Sequence, residues 1–249
     1  RNPYWVLYKD LNNDQIDRVL TMIQLEYKFT DWLKLQVRHG MDMRQTFTES
    51  ANAYGIRDLG SGALNFNSGY SAYRSRAMES NADFQLTANR KLTEDWTATL
   101  SAGGNKETSN YNNVGGTTGL LDLPGVYSLN TGQLPRPSSN VSKSRINSLY
   151  GFLNVGFRNY LFRDATYRND WVSVLAKDRR SFHYPSLSLS AVVSDLWSDL
   201  FKSEFPQAIS FAKIRGAYAE AGSVTISPYE LTPTFGISRG YGDASLLVT

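Results

Sequence analysis

Apolar and polar residues alternate along most of this chain with the period of two that is typical of β-strands. Because successive side chains of a strand point to opposite faces, such a segment has one apolar and one polar face. Between Arg18 and Phe29 the even positions include Gln24, Glu26 and Lys28, whereas the odd positions carry Val19, Thr21, Ile23, Leu25, Tyr27 and Phe29. This alternation constrains the fold more than any other feature.

A second alternating segment follows at once and matches the first. One of its faces carries Leu33, Leu35, Val37, His39, Met41 and Met43, and the other carries Lys34, Gln36, Arg38, Asp42 and Arg44. A turn centred on Asp31 places Phe29 opposite Leu33, so that the apolar faces of both strands coincide. We therefore predict an antiparallel hairpin whose polar face includes Gln24, Glu26, Lys34 and Arg38.

The same two-strand unit recurs three more times. Alternation returns over residues 82–89 and 96–102, over 149–157 and 165–167, and over 187–193 with a less regular partner at about 209–221. The segment Thr232–Ile237 is a candidate ninth strand. The chain is therefore predicted to be all-β, with about eight or nine antiparallel strands.

Short and long connections alternate between the predicted strands. Short turns follow Phe29, Arg90 and Asn159, whereas the connections at about 49–78 and 109–145 are long and rich in Gly, Ser and Asn. A barrel that crosses an outer membrane has short turns on one side and long loops on the other. We therefore expect the short turns on the periplasmic side and the two long loops on the outer side.

One segment, Ser194–Pro206, departs from the period of two. Apolar residues recur there every four positions, at Leu196, Trp197, Leu200, Phe201 and Phe205. This spacing is helical, and Pro206 would end a helix. The segment predicts a short amphipathic helix in a periplasmic turn, with its Trp and Phe side chains at the membrane boundary.

The length of the alternating segments favours a membrane-spanning sheet over a soluble β-sandwich. They run for about 11–13 residues, whereas strands usually have about 5–6. Aromatic residues gather beside the short turns, where the girdles of membrane barrels lie. The face with Gln24, Glu26, Lys34 and Arg38 is too polar for a sandwich core and is predicted to face a water-filled lumen.

Composition excludes several other classes of protein. A mean hydropathy of −0.39 and the lack of an apolar run of about 18 residues exclude helical membrane spans. A formal net charge of +3 over 249 residues is too small to indicate a nucleic-acid partner. The chain has no cysteine, which excludes disulfides and thiolate metal sites.

Six motifs carry a resemblance to a known family. They are Asn2-Pro3-Tyr4-Trp5, Thr30-Asp31-Trp32-Leu33, Leu149-Tyr150-Gly151, Asp164–Trp171, Arg180–Ser190 and Lys213–Ala219. The most specific feature is the run Tyr167-Arg168-Asn169-Asp170-Trp171, which is followed shortly by Tyr184-Pro185-Ser186. Together these motifs resemble the barrel of SusC/RagA-type TonB-dependent outer-membrane transporters.

The resemblance implies a 22-stranded transmembrane β-barrel with an N-terminal plug domain and a periplasmic segment that engages the TonB–ExbB–ExbD complex. It also implies a SusD-like lipoprotein that acts as a lid, a multi-pass location among the lipids of the Gram-negative outer membrane, and TonB-dependent uptake of oligosaccharides or peptides. Residues 1–249 are then part of a single barrel domain, without its plug and remaining strands. Such a protein is not an enzyme and requires no cofactor.

Candidate substrate-binding residues lie in the two predicted long loops. Exposed aromatic rings can stack on sugars and peptides, which selects Tyr54, Tyr70, Tyr73 and Tyr111, with the nearby cation Arg74. Packing within the loop is the commoner role of such tyrosines. No nucleophile motif or phosphate-binding loop is present, so no catalytic residue is predicted.

Asp10, Asn12 and Asp14 have the spacing of the first ligands of a calcium loop. The sixth position holds Gln15 instead of glycine, and the twelfth holds Thr21 instead of glutamate. An acidic turn that leads into a strand is therefore the preferred interpretation. The two histidines, His39 and His183, have no partner at metal-ligand spacing, and no metal site is predicted.

Three functional hypotheses follow from these observations. The first is part of an energy-coupled importer of oligosaccharides or peptides. The second is a small closed β-barrel or an adhesion or binding module without transport, built from these strands alone. The third is a soluble carbohydrate-active β enzyme, which would need paired carboxylates on a concave face, and the sequence shows none.

Overall fold

The computed structural model describes residues 3–52, 56–57, 64–65, 69–203, 205–206, 209, 211–232, 236–239 and 245–248. Two short α-helices are present among them, α1 (Pro3–Lys9) and α2 (Val193–Phe201), together with a 3-10 turn at Leu129–Thr131. The strands are β1 (Leu11–Thr30), β2 (Leu33–Ala51), β3 (Ile56–Arg57), β4 (Leu64–Asn65), β5 (Tyr70–Lys91), β6 (Trp96–Thr117), β7 (Arg136–Phe157), β8 (Leu161–Val172), β9 (Ser181–Val192), β10 (Lys213–Ala219), β11 (Gly236–Arg239) and β12 (Ser245–Val248). Neither helix is long and apolar enough to cross a membrane.

Eight strands form one antiparallel sheet, in the order β1-β2-β5-β6-β7-β8-β9-β10. Apart from the small β3–β4 pair, each strand therefore lies beside the strand that precedes it in the sequence. In the described residues β1 and β10 stand at the two ends of this order and have one neighbour each. The prediction of an all-β, antiparallel chain of about eight strands is confirmed.

The chain forms two compact units. The first contains Arg1–Ile23, His39–Asn81 and Glu107–Lys143, and the second contains Gln24–Arg38, Ala82–Lys106 and Ser144–Thr249. Strands β1, β2, β5, β6 and β7 contribute residues to both units.

Two of the short turns are held by threonine hydroxyls. Thr30 Oγ1 accepts a hydrogen bond of 3.1 Å from the backbone N–H of Leu33, which begins β2. Thr93 Oγ1 accepts one of the same length from the N–H of Trp96, which begins β6. In both turns a hydroxyl three residues before the new strand replaces a missing backbone partner, as in other hydroxyl-capped turns.

The strands reach further into the predicted long loops than the sequence pattern indicates. The predicted loop at 49–78 contains the end of β2 and the start of β5, and the one at 109–145 contains the end of β6 and the start of β7. The connections between these strands are correspondingly shorter. Pairing depends on backbone hydrogen bonds, so a strand with polar residues on both faces can form without showing any apolar alternation.

The predicted ninth strand does not extend the sheet. Strand β11, which begins within the predicted segment, pairs with β12 in a separate two-stranded sheet. Residues 233–235 of the predicted segment lie outside the described residues. A short apolar run indicates a strand but does not identify its partner, which explains the error.

The predicted helix is present but shorter than expected. Helix α2 ends at Phe201, before Pro206, because Lys202 takes a left-handed conformation with φ of 49° and ends the helical path. The ring of Trp197 lies 4.4 Å from that of Phe201 and 6.0 Å from that of Phe205. The predicted aromatic face therefore forms, although Phe205 reaches it from beyond the helix.

A small hydrophobic cluster lies in the first unit. It contains Ala51, Tyr70 and Leu121, which are 4–8% exposed, with Leu11, Ala72, Tyr127 and Leu129 packed around them. This is the only cluster of buried apolar residues among the described positions. Most apolar side chains of the sheet therefore do not lie in a protein core.

Candidate functional site

Polar side chains line one face of the sheet in the second unit. The pairing of β7 with β8 and of β8 with β9 places Asn154 opposite Asp164, and Asp164 opposite Ser188. The amide of Asn154 donates a hydrogen bond to Asp164 Oδ1, and the hydroxyl of Ser188 donates to Oδ2 at 3.0 Å. One carboxylate is therefore satisfied by both neighbouring strands.

A second row on this face is built around Arg168. Its Nε donates to Asp170 Oδ1 at 2.6 Å, and its Nη2 donates to the hydroxyl of Ser148 at 2.9 Å. Ser148 is only 3% exposed, so the arginine is held close to the sheet surface. The planar guanidinium suits this arrangement because its donors are fixed in one plane.

The pair of Arg38 and Asp83 joins β2 to β5 on the polar face of these two strands. Arg38 Nε lies 3.1 Å from both carboxylate oxygens, and Nη2 lies 2.8 Å from Oδ2. The Asp83 side chain is 12% exposed, whereas that of Arg38 is 38% exposed. The pair therefore presents a guanidinium to solvent above a carboxylate that is largely covered.

The predicted lumen-facing residues lie on the polar side of β1 and β2. Lys34 Nζ lies 3.3 Å from Glu26 Oε2, which joins even positions of the two strands. Gln24 precedes Glu26 by two positions, so it shares that face, and Arg38 follows Lys34 by four. Reasoning from the sequence missed Asp83, Asp164 and Arg168, although each lies on the polar side of an alternating segment.

The opposite face of the second unit is apolar, and no described residue covers it. The registers place Leu153 opposite Ala165, Ala165 opposite Leu187, and Leu187 opposite Tyr218. Large apolar side chains on this face remain open, as shown by Leu25 of β1 at 67%, Leu189 of β9 at 56% and Ile214 of β10 at 68% exposure. Exposed apolar surface on this scale indicates a site of contact with another molecule or with lipid.

An ionic cluster joins the short turns to α2. Arg158 Nε lies 2.9 Å from Asp95 Oδ1, and its Nη1 lies 2.8 Å from Asp199 Oδ2. The hydroxyl of Tyr160 donates to the same Asp199 oxygen at 2.7 Å. These hydrogen bonds, first from Tyr160 and then from Arg158, lower the pKa of Asp199 below its ordinary value.

The predicted substrate-binding residues do not form one site. Tyr70 is 8% exposed, and its hydroxyl donates to Glu49 at 3.0 Å, so it packs the hydrophobic cluster instead of facing a ligand. Tyr73 and Arg74 are adjacent in β5 and therefore point to opposite faces. Tyr54 lies outside the described residues.

Tyr111 shares a face with Tyr73. A Cβ added at Gly115 of β6 would come within 2.7 Å of the Cα and the ring of Tyr73, so position 115 and Tyr73 share a face. Tyr111 precedes Gly115 by four positions in β6 and therefore lies on the same face. Arg74 instead lies over the ring of Phe47, 5.8 Å from its centroid. Two of the five candidates, Tyr73 and Tyr111, therefore remain together on one surface.

The residues of the calcium alternative lie at the start of the sheet. Asn12 and Asp14 are exposed residues of β1, directly after Asp10. A calcium loop wraps its ligands around the ion, whereas the backbone here is extended. No group of three or more His, Cys, Asp or Glu residues suited to a metal ion occurs in the part of the chain that is described.

Of the two histidines, His183 has a defined partner. Its Nδ1 lies 2.6 Å from the hydroxyl of Tyr167, and the two side chains lie on the same face because Tyr167 pairs with Pro185, two positions after His183. This contact joins β8 to β9, so His183 has a structural role.

No family model matches the sequence, and no curated protein matches it. Among solved structures, the chain is similar to one described as the RagAB peptide transporter, with a TM-score of 0.85 and 16% identity over 98% of this chain. It is also similar to the RagAB peptide importer in its "open-open" and "closed-closed" states, with TM-scores of 0.84 and 0.85 and 16% identity.

This chain spans 26–27% of the length of the chains that it matches. The matched structures are named as transporters and importers, not as enzymes. At this level of identity the likeness concerns the path of the backbone. The chain therefore has the fold of a segment of a RagAB transporter chain, which confirms the fold implied by the sequence motifs.

Proposed function

We propose that this chain forms part of the wall of a transmembrane β-barrel in the outer membrane of a Gram-negative cell. The observation that carries the proposal is the apolar face of the second unit, which spans the sheet and which no described residue covers. Strands β8 and β9 have 12 residues each, and a tilted strand needs about 9–11 to cross the hydrocarbon layer. Lipid is therefore the natural neighbour of this face.

The polar face then lines the lumen. It carries Gln24, Glu26, Lys34 and Arg38, together with Asp83, Asp164 and Arg168. Lys34 pairs with Glu26 and Arg38 pairs with Asp83 across neighbouring strands, and Arg168 pairs with Asp170 within β8. These charges can therefore face water at little cost in free energy. A lumen wall of this kind contacts a polar cargo through hydroxyl, amide and charged groups without changing its bonds.

The complete protein is proposed to be a TonB-dependent importer. The fold of RagAB chains supports this role, as do the SusC/RagA-like motifs of the sequence. On this proposal the plug and the remaining strands come from outside residues 1–249, a SusD-like lipoprotein closes the outer side, and the TonB–ExbB–ExbD complex supplies energy from the inner side. The short turns and α2 then lie in the periplasm.

The cargo is proposed to be a peptide or an oligosaccharide. The matched structures are described as transporters and importers of peptides, which favours the first. Mixed charges on the polar face suit peptides, since a peptide carries both signs of charge and backbone hydrogen-bonding groups. Uptake of labelled peptides and labelled oligosaccharides by cells with and without the intact protein distinguishes the two.

The small closed barrel has less support. Closure of eight strands requires the first and last to pair, and in the described strands β1 and β10 each have a single neighbour. Both edges are therefore open to strands from elsewhere in the protein.

A pair of substitutions tests the membrane assignment. Leu25 lies on the apolar face, five residues before the end of β1, and Leu25→Arg in the intact protein should lower the free energy of unfolding by about 2–4 kcal/mol. Gln24→Arg, on the adjacent polar position, should be nearly neutral. Denaturant titration of the protein in lipid vesicles measures both, and equal losses at the two positions would refute the assignment.

A further inference from the structure

Arg163 lies on the apolar face of the sheet. The registers place it opposite Val155 of β7 and opposite Leu189 of β9, and Leu189 in turn opposite Gly216 of β10. Its nearest neighbours on the same face of β8 are Leu161 and Ala165. A cationic side chain is therefore surrounded by apolar positions on the side proposed to contact lipid.

Arg163 differs from the arginines of the polar face in having no protein counter-charge. Arg38 and Arg168 each form an ion pair with an aspartate. Among the described residues no carboxylate lies within ion-pair distance of Arg163, which is exposed. An unpaired guanidinium in an apolar surrounding requires an anionic partner from outside the chain, because leaving it without one in a membrane is costly.

A furrow surrounds this arginine. It has a volume of about 680 Å³ and is lined mainly by apolar side chains, among them Trp96, Leu153, Val155, Phe157 and Ile214. Gly216 leaves one wall open, since a Cβ added there would meet no atom within 4 Å. The furrow therefore has the apolar character of a place for a hydrocarbon chain, with Arg163 and Arg215 as the cations in its lining.

The position along the strand fits a lipid head group. Arg163 is two residues after Leu161, where β8 begins, which is about 7 Å along a strand. A long arginine side chain can extend such a distance toward the head-group zone while its aliphatic part stays among apolar atoms. The rings of Trp96 and Phe157, 4.7 Å apart, mark the same end of the sheet.

We propose that Arg163 and this furrow form a binding site for an anionic phospholipid of the inner leaflet. The guanidinium binds the phosphate through charge-assisted hydrogen bonds, and one acyl chain lies in the furrow beside Gly216. The inference rests on the proposed membrane function and adds to it a fixed lipid on the outer wall of the barrel.

The test uses the intact protein in nanodiscs that contain phosphatidylglycerol and phosphatidylcholine, with retained lipid counted by native mass spectrometry. Arg163→Gln should lower the affinity for the retained phosphatidylglycerol by about tenfold, the effect of losing one charge-assisted hydrogen-bonded contact. Gly216→Leu keeps the charge but fills the furrow, and it should also release the lipid. Arg163→Lys should restore part of the binding.

Arg179→Gln is the matched control, because it removes a cation that is 87% exposed in the connection between β8 and β9. It should leave lipid retention unchanged. Inorganic phosphate at millimolar concentration should not displace the lipid, and displacement would overturn the proposal in favour of a free-anion site. Equal retention by the original protein and Arg163→Gln would also overturn it, although insertion into nanodiscs would still support the membrane placement. Failure of the original protein to insert would refute the proposed function itself.

Discussion

At some positions of the sheet, the side chains on the neighbouring strands dictate which residue type can be present. Gly103 of β6 is an example, because Tyr150 of β7 lies over it and donates its hydroxyl to the carbonyl of Phe84 at 3.3 Å. A Cβ at position 103 would come within 2.3 Å of that carbonyl oxygen and 2.7 Å of the tyrosine ring. The glycine is required here for close approach, a role that glycine has in many strands.

Gly103→Ala should therefore destabilise the protein by about 1–3 kcal/mol, the usual cost of forcing extra atoms into a packed site. Gly40→Ala is the control, since the nearest atom to its new Cβ would be 3.9 Å away, an ordinary contact. That variant should stay within about 0.5 kcal/mol of the original protein. Thermal unfolding in detergent measures both, and similar losses for the two variants would contradict the steric explanation.

At the scale of elements, the connection after β9 is organised by charge. Helix α2 contributes Asp199, and the turns before β6 and β8 contribute Asp95, Arg158 and Tyr160. Asp95 lies in the turn before β6 and Asp199 lies in the connection after β9. The guanidinium of Arg158 therefore joins these two connections of the second unit. Arg158 has a left-handed backbone with φ of 45°, and its N–H donates to the carbonyl of Asp95 at 2.8 Å.

This cluster predicts a pH dependence for the position of α2. The pKa of Asp199 is lower in the folded protein than in the unfolded chain, so its contribution to stability is complete above its ordinary pKa of about 4. It is lost as the pH falls below that value and the carboxyl becomes protonated. The fluorescence of Trp197 should therefore stay constant from neutral pH to about pH 4 and change as the pH falls from there through the lowered pKa of Asp199 and α2 detaches.

Asp199→Asn should remove this transition, because asparagine does not titrate in the range. Asp195→Asn is the matched control on the same helix, since Asp195 accepts only from the neighbouring Ser194 at 3.2 Å in the contacts described. It should keep the transition. An unchanged fluorescence profile in Asp199→Asn would show that another group controls α2.

At the scale of the whole molecule, the sheet formed by the described residues has two open edges and an apolar face that none of those residues covers. Strand β1 has 20 residues and lies at one end of the strand order, and every described residue of β10, at the other end, is exposed. Open strand edges bind further strands, and in a membrane each edge must be paired. The sheet is therefore suited to continue into neighbouring strands of a larger barrel.

Residues 1–249 produced alone should consequently aggregate in buffer and remain dispersed only in detergent. The driving force is the apolar face, because each buried square ångström contributes about 25 cal/mol to association. Sedimentation with and without detergent measures the outcome. A stable monomer in detergent-free buffer would contradict the uncovered face and support the small closed module instead.

The sequence by itself determined where most of the strands lie, which faces they present and where the short turns occur, but not the strand ends in the two long connections. These features are local: the alternation that runs from Leu33 to Met43 decides which side chains share a face, whatever the strand pairs with. Helix α2 around Trp197 could be predicted for the same reason, because helical spacing is also a local pattern. The SusC/RagA-like motifs added the correct fold of the chain as a barrel segment.

Only the tertiary structure decided which distant residues meet. Arg38 and Asp83 are 45 positions apart, and Arg158 and Asp95 are 63 apart, so their pairing depends on how several strands align, which no local pattern encodes. The same limit applies to Tyr70, whose burial follows from the ends of β2 and β5 and from Leu121 beyond them. The role proposed for Arg163 could not be predicted from the sequence either. Only the registers of the neighbouring strands show that the positions around this cation on its face of the sheet are apolar.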